Sequence, residues 1–434
     1  MRDTIITLIV FGSLPSIIKR PYIGALMWVW LSVMNPHRLS WGFAYSFPFA
    51  AVVAAVTLLS LLLTREPKDL PTGPAAKLML VFTVWMALTT ATAIHPEDSF
   101  VMLQRVLKIM LMTFVCMMLI RTKEQIHWLL WTLVGSLAYY GIKGGIFTIA
   151  NGGSFRVWGP PGSFIEGNNE VALALATIIP MLYYLHLQVK QRWLNLGLIA
   201  SIPLCGLAAL GSYSRGALLA IAAMVVFLWI KSPKKAALGA VMAMVVPIAI
   251  IFMPEQWANR MDTITTYQED DSAMGRINAW WMAFNLATDR PLGGGFEIYD
   301  AGVFARYAPI PTDIHAAHSI YFQCLGEHGF VGLALYLALG VACWRKASWL
   351  IKQGKLWPEH AWAGQLAKMI QVSMICFGVG GAFLSLLYFD VPYYLMAILL
   401  VTGRLVERSL AQKQEDRAKA ALLQPAAAAE QARP

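Results

Sequence analysis

The sequence predicts an all-α polytopic membrane protein with about twelve transmembrane helices. Three observations carry this prediction. Hydrophobic residues make up 58% of the 434 positions and charged residues 13%, where a soluble domain runs near 45–50% and about 25%. Mean hydropathy is +0.58. The apolar residues fall in runs of helical length, without the alternation that marks strands. Each run must be a helix, because hydrocarbon cannot satisfy an open backbone. The same composition excludes a disordered chain, a collagen, a coiled coil and a string of soluble domains.

The runs lie near 3–18, 21–35, 43–63, 77–93, 101–120, 127–149, 171–189, 194–211, 215–230, 236–253, 319–344, 369–388 and 391–406. The first two are short for a bilayer, so one of them is tilted or interfacial and the count is twelve or thirteen. Four regions result: N-terminal helices over 1–253, a hydrophilic loop over 254–318, C-terminal helices over 319–406, and a tail over 407–434. No cleavable signal peptide is expected, since the first run meets Lys19-Arg20 directly. The tail from Ala411 is Ala, Gln and charge, and reads as a frayed helix end or a disordered segment.

The formal charge of +10 is explained by loops rich in Lys and Arg on the cytoplasmic side, and gives no reason to invoke nucleic acid. Lys19, Arg20, Arg65, Lys68, Arg121, Lys123, Lys231, Lys234, Lys346, Lys355 and Arg408 belong to that set; the opposite loops hold few cations. Cys116, Cys205, Cys324, Cys343 and Cys376 form no CxxC pair and sit in or beside apolar runs. They read as packing residues, not as a disulfide frame or a zinc site.

Two non-cytoplasmic segments stand out. Residues 151–169 are rich in Gly and Pro. Residues 254–318 hold an apolar pattern at Ile277, Trp280, Trp281, Phe284 and Leu286, which suits an amphipathic helix near 275–289 lying on the membrane or over a cavity. Asp289-Arg290-Pro291 and then Gly293-Gly294-Gly295 mark its end.

Cations on the outer side work against the positive-inside trend and need a reason. Arg215 stands at the start of a helix behind Ser212 and Ser214, an anion-friendly position. It is either a phosphate clamp or an arginine snorkelling to lipid phosphate. Arg276 opens the amphipathic helix, and Arg156 lies beside Trp158; each is a phosphate ligand or a solvated surface charge. His318 ends the long loop at the aqueous edge. A neutral imidazole there accepts a proton, or it simply bonds the backbone at the interface. His315, His318 and His328 suggest a metal cluster only weakly, because no carboxylate or cysteine completes the shell. Glu269-Asp270-Asp271 reads as a solvated charge run.

Gly275-Arg276-Ile277-Asn278-Ala279-Trp280, the Gly293–Phe296 run, and His318 followed by Tyr321, Glu327, Gly329 and Gly332 together resemble the O-antigen ligase and O-antigen polymerase superfamily. Ser319 stands where that family usually has Asn. Ser214-Arg215-Gly216 matches as well. Residues 162–175 and the first fifteen residues are similar to the ligase branch associated with exosortase-type glycan loci. The resemblance extends to about residue 406.

It implies a bundle of the C-type glycosyltransferase kind with one large periplasmic loop, in the bacterial inner membrane. It implies an O-antigen ligase that moves a glycan from undecaprenyl diphosphate to a lipid A-core sugar, with inversion and without metal or cofactor. The partners would be the lipid-linked glycan, lipid A-core and membrane lipid. On this reading Arg215 and Arg276 clamp the diphosphate, with Arg156 as a further ligand, and His318 is the base. Asn168, Asn169, Glu170, Tyr321 and His315 contact sugar or pyrophosphate. Asp390 orients the base, binds sugar, or is a plain helix-end polar residue.

The rivals are an O-antigen polymerase and a protein O-glycan ligase, which use the same donor, and a non-enzymatic flippase for an anionic lipid. A flippase would need charge deep along several helices; Arg105, Lys108 and Lys143 are the only such positions.

Overall fold

The computed structural model describes residues 1–232, 234–262 and 271–431, and among these no strand occurs. The helices are α1 (Arg2–Lys19), α2 (Tyr22–Val33), α3 (Phe49–Leu63), α4 (Pro74–Ala91), α5 (Pro96–Leu119), α6 (Lys123–Ala150), α7 (Asn168–Gln188), α8 (Arg192–Leu210), α9 (Arg215–Lys231), α10 (Lys235–Phe252), α11 (Glu255–Asp262), α12 (Asp271–Asp289), α13 (Ala301–Tyr307), α14 (Ile320–Leu356), α15 (Ala361–Gly381) and α16 (Asp390–Gln431). Every predicted apolar run overlaps one of them. By length and apolarity α4, α5, α6, α7, α8 and α14 are able to cross a membrane on their own. The apolar helices α2 and α3 are shorter, at 12 and 15 residues.

Local chemistry sets the helix starts. Pro74 and Pro96 occupy the first turn of α4 and α5, where a missing N–H costs nothing. Thr122 and Gln125 cap α6 reciprocally. Packing then depends on small residues, since lipid offers no hydrophobic drive between helices. At Gly145 of α6 an added Cβ would come within 2.3 Å of the Leu204 carbonyl of α8. Ser373 of α15 donates to the Thr177 carbonyl of α7 at 2.6 Å. The helix α16 is buried on all sides from Asp390 to Arg404, which makes it an interior pillar of the bundle. All five cysteines are buried and unbridged.

Several expectations change. The run 369–388 is not one helix: α15 ends at Gly381 and 382–389 is a turn. Leu384, Leu386, Leu387, Tyr388 and Phe389 are all buried there, and hydropathy reports burial without reporting helix. Likewise α3 begins only after Pro48, behind a short 3₁₀ turn at Phe43–Tyr45. The run from 319 extends past Arg345 and Lys346 to Leu356. The tail is helical to Gln431, as its alanine content favours. Glu269 and Asp270 of the acidic run lie outside the described residues, and Asp271 begins α12. Arg105, one of the three charges that a flippase would use, lies with its Cζ 4.7 Å from the Phe164 ring of the 151–169 loop.

A kink in α14 organises the end of the bundle where the 290–319 segment packs. Gly329 adopts φ 68° inside that helix. A Cβ there would fall 2.0 Å from the Pro291 carbonyl oxygen. Beside it the Gly294 and Gly295 N–H groups donate to the Gly326 and Glu327 carbonyls at 2.8 and 2.9 Å. Ile94 donates to Gly294 at 2.7 Å. Below lies a buried polar chain. The ring nitrogens of His328 bond Thr89 Oγ1 and Tyr388 OH, both at 2.7 Å, and Tyr388 OH donates to Glu327. His328 is therefore a structural residue, and no group of three metal-ligating side chains occurs among the described residues.

Gly329→Ala combines a left-handed backbone with a carbonyl clash, so it should cost about 2–4 kcal/mol. A melting curve of the purified variant checks this. A wild-type melt would mean that α14 does not need the kink.

Candidate active site

Two local assemblies meet at the first turn of α7. The first surrounds the tight connection from α8 to α9. Tyr213 takes a left-handed conformation, φ 63°, and its hydroxyl donates to the Gly153 carbonyl at 2.8 Å. Val157 N–H donates to the Gly211 carbonyl at 3.1 Å. The Gly- and Pro-rich loop of 151–169 is thereby tied to this turn. Ser214 caps α9, its Oγ accepting from Ala217 N–H at 3.2 Å, which places half-buried Arg215 as the first residue of the helix. Asn168 Nδ2 donates to the Ser212 carbonyl at 2.7 Å. Arg156 is exposed, with its Cζ 5.6 Å from the Tyr213 ring centre. A helix start with a guanidinium on its first residue and another nearby suits a phosphate group.

The second assembly is built by α12. This helix grips the segment that leads to His318. Asn278 Nδ2 donates to the Ile310 and Asp313 carbonyls at 2.8 and 2.9 Å, and Asn278 Oδ1 accepts from Ile310 N–H at 2.9 Å. Trp280 Nε1 donates to the Ala317 carbonyl at 2.7 Å. Its indole stacks on Phe322 of α14, with centroids 4.9 Å apart and planes 5° apart. Gly275 leaves room for the His315 imidazole; a Cβ there would come 2.4 Å from Nδ1. His315 Nδ1 lies 2.8 Å from Asp313 Oδ1.

His318 is held with φ 42°, an uncommon backbone for a residue with a side chain. Its pKa is pushed down to about 4, first by burial, then by the Arg276 guanidinium, then by His315. The imidazole is therefore neutral at neutral pH. Its Nδ1 is buried and makes no hydrogen bond among the described residues. The charges of Arg276 and Glu170 also interact, so α7, α12 and the segment before α14 converge here.

The structure thus brings His318, His315, Arg276 and Glu170 into one cluster. It brings Arg215, Asn168 and Arg156 into another, with Asn169 between Asn168 and Glu170 on the shared turn. Tyr321 lies one turn beyond His318 and donates to the Gly378 carbonyl at 2.8 Å. Asp390 has other company: it is 3% exposed and lies beside Ser32 of α2. Sequence reasoning misses Asn278 and Trp280 as positioning residues. Both lie in the Gly275–Trp280 motif, but Trp280 reads from the sequence as part of an apolar face and Asn278 only as a member of the motif. The outward aromatic face of α12 is real and is carried by Trp281 and Phe284, at 53% and 41% exposure.

Residues 1–189 match a family of unknown function, DUF5935. Residues 199–337 match the O-antigen ligase family, Wzy_C. Comparison with curated proteins gives no match. The two segments adjoin where α7 gives way to α8. Asn168, Asn169 and Glu170 come from the first; Arg215, Arg276, His318 and Tyr321 come from the second.

Asn278→Ala removes two donors from the 310–313 carbonyls and should loosen the loop by roughly 1–3 kcal/mol. Limited proteolysis between 307 and 318 should accelerate while the melting temperature changes little. Unchanged cleavage would show that Asn278 does not hold the loop.

Proposed function

We propose that this chain, whose residues 199–337 carry an O-antigen ligase domain, is a glycosyltransferase that moves a glycan from undecaprenyl diphosphate to a lipid A-core sugar at the periplasmic face of the bacterial inner membrane. The observation that carries this reading is His318: a half-buried, neutral imidazole beside Arg276, at the head of a helix that borders an apolar groove. The groove is a cavity of about 430 Å³ reached from Tyr321 and lined by α14, α15 and the start of α16. Leu337 and Val341 at its rim are 47% and 59% exposed. This supports a donor whose polyprenyl chain lies in the groove and whose diphosphate rises toward the arginines.

In the proposed reaction the acceptor hydroxyl oxygen attacks the anomeric carbon. The bond from that carbon to the diphosphate oxygen breaks, and undecaprenyl diphosphate leaves with the electron pair. The hydroxyl proton passes to His318. Attack opposite the leaving group inverts the anomeric carbon. The diphosphate leaves as an anion and needs opposing positive charge, which Arg215 and Arg276 supply. Arg156, Asn168, Asn169, Glu170, His315 and Tyr321 are the candidate contacts for sugar and pyrophosphate.

Loss of one donor to developing negative charge commonly costs about 10²–10³ in rate. Arg215→Ala and Arg276→Ala should each lose that much in ligation of lipid-linked glycan to lipid A-core. Arg215→Lys should remain impaired, because it keeps charge but loses the planar fork. Wild-type rates in both alanine variants, at normal expression, would remove the clamp. Extension of a second lipid-linked glycan in place of lipid A-core would make the chain a polymerase.

The neutral form of His318 is the active one, so activity is present above its pKa and is lost as pH falls through it. For free enzyme, kcat/KM should stay flat from pH 8 to about 5 and fall near 4. In kcat the fall should lie higher, because a bound diphosphate offsets the Arg276 charge. His318→Gln should lose roughly 10²–10⁴ in single-turnover rate while still binding donor. Near-normal turnover in that variant would remove the base role.

A further inference from the structure

At the far end of the bundle a second cavity, of about 660 Å³, lies between the start of α4, the middle of α14 and the end of the apolar part of α16. Lys346, on its wall, is 26 residues beyond Ile320 on α14. The last 17 of these residues lie beyond the Gly329 kink and span about 25 Å of helix at 1.5 Å per residue, most of the thickness of a bilayer core. The cavity is separate from the groove and from every residue of the candidate active site.

Its walls are arranged by depth. On α14, Ala342 lies one turn above Lys346; on α16, Leu400 lies one turn above Arg404, and Glu407 and Arg408 follow. Apolar surface therefore continues into the bundle, and charge faces the aqueous end. Three cations, Lys346, Arg404 and Arg408, face two carboxylates, Asp69 and Glu407. Arg404 is 8% exposed and donates to main-chain carbonyls, those of Asp69 and of Ile120, the latter at 2.7 Å. No carboxylate is bonded to it in those contacts, so its charge is the excess one. Arg408 pairs with Asp69 Oδ2 at 2.7 Å, and Lys346 pairs with Glu407. The stem of Lys346 crosses to α16 over Gly403, where a Cβ would collide with its Cε. The start of α4 also borders the space: Gly73 is the N-cap, without a side-chain cap bond, so first-turn N–H dipoles add positive potential.

We propose that this cavity binds a phosphate ester, the headgroup of an anionic phospholipid whose acyl chain lies along Leu400 and Ala342. Net positive charge selects an anion, and the apolar wall one turn deeper selects an amphiphile over a free ion. Basic pockets between helices at this depth commonly take such headgroups.

Native mass spectrometry of the full chain in detergent tests the proposal with three probes: phosphatidylglycerol, phosphatidylcholine and inorganic phosphate. Wild type should retain phosphatidylglycerol in preference to phosphatidylcholine. Lys346→Gln with Arg408→Gln should weaken that retention roughly tenfold or more. Glu407→Gln, which removes the internal competitor for Lys346, should strengthen it severalfold. This second variant guards against a double variant that fails to fold. Inorganic phosphate retained by wild type and lost in the double variant, without lipid preference, would support the same phosphate chemistry with a soluble source. Equal retention of the two lipids with no specific retention of inorganic phosphate, or retention indifferent to all three substitutions, would overturn the proposal.

Discussion

The half of the molecule that carries the candidate site depends on one backbone-to-backbone contact. The Gly293–Gly295 run lies directly against the kink of α14, bonded to the Gly326 and Glu327 carbonyls, with Pro291 filling the space that a side chain on Gly329 would need. Only glycine permits so close an approach and the left-handed turn that creates it. The contact fixes the end of α12 to α14. Arg276 is on the first of these helices, and His318 immediately precedes the second. The buried chain from Glu327 through Tyr388 and His328 to Thr89 extends the same junction to α4 and to the turn that precedes α16. A buried polar chain is costly unless its members find partners, and these four side chains supply them to one another.

Much of this is legible in the sequence, and the reasons differ by element. Apolar runs reveal spans because lipid leaves the backbone no other choice. The amphipathic α12 is legible from its period, and its stop from the Pro and glycine run. His318 is legible because a histidine at the point of re-entry is an unusual placement. The roles of Asn278 and Trp280 are not legible. They act through carbonyls 32 to 37 residues away in the chain, and a carbonyl leaves no mark on sequence. For the same reason Glu327 and Gly329 read only as members of a motif and His328 as a weak metal candidate, yet His328 and Gly329 act as architecture. The end of α15 is misplaced by hydropathy because Leu384 to Phe389 is buried in a turn, and a hydropathy window does not separate burial from helix.

The electrostatics of the site follow from where its parts come from. A histidine near a guanidinium, partly shielded from water, is held neutral by both influences together. Glu170 belongs to the segment matched by the family of unknown function, and Arg276 and His318 to the segment matched by the O-antigen ligase family. The charge balance around the imidazole is therefore shared across that seam. A change in the first turn of α7 reaches the proton affinity of His318 through Arg276, without any contact of its own to the ring.

The burial of every cysteine has a consequence for how the protein lives and how it is studied. A thiol within the bundle is beyond the reach of aqueous oxidants and of alkylating reagents. On the proposed topology the outer loops emerge into an oxidising compartment, yet maturation calls on no disulfide-forming machinery. The natural chain is also its own blank for sulfhydryl chemistry. A spin label or fluorophore placed on one engineered cysteine reports from that position alone, with no native thiol to delete first.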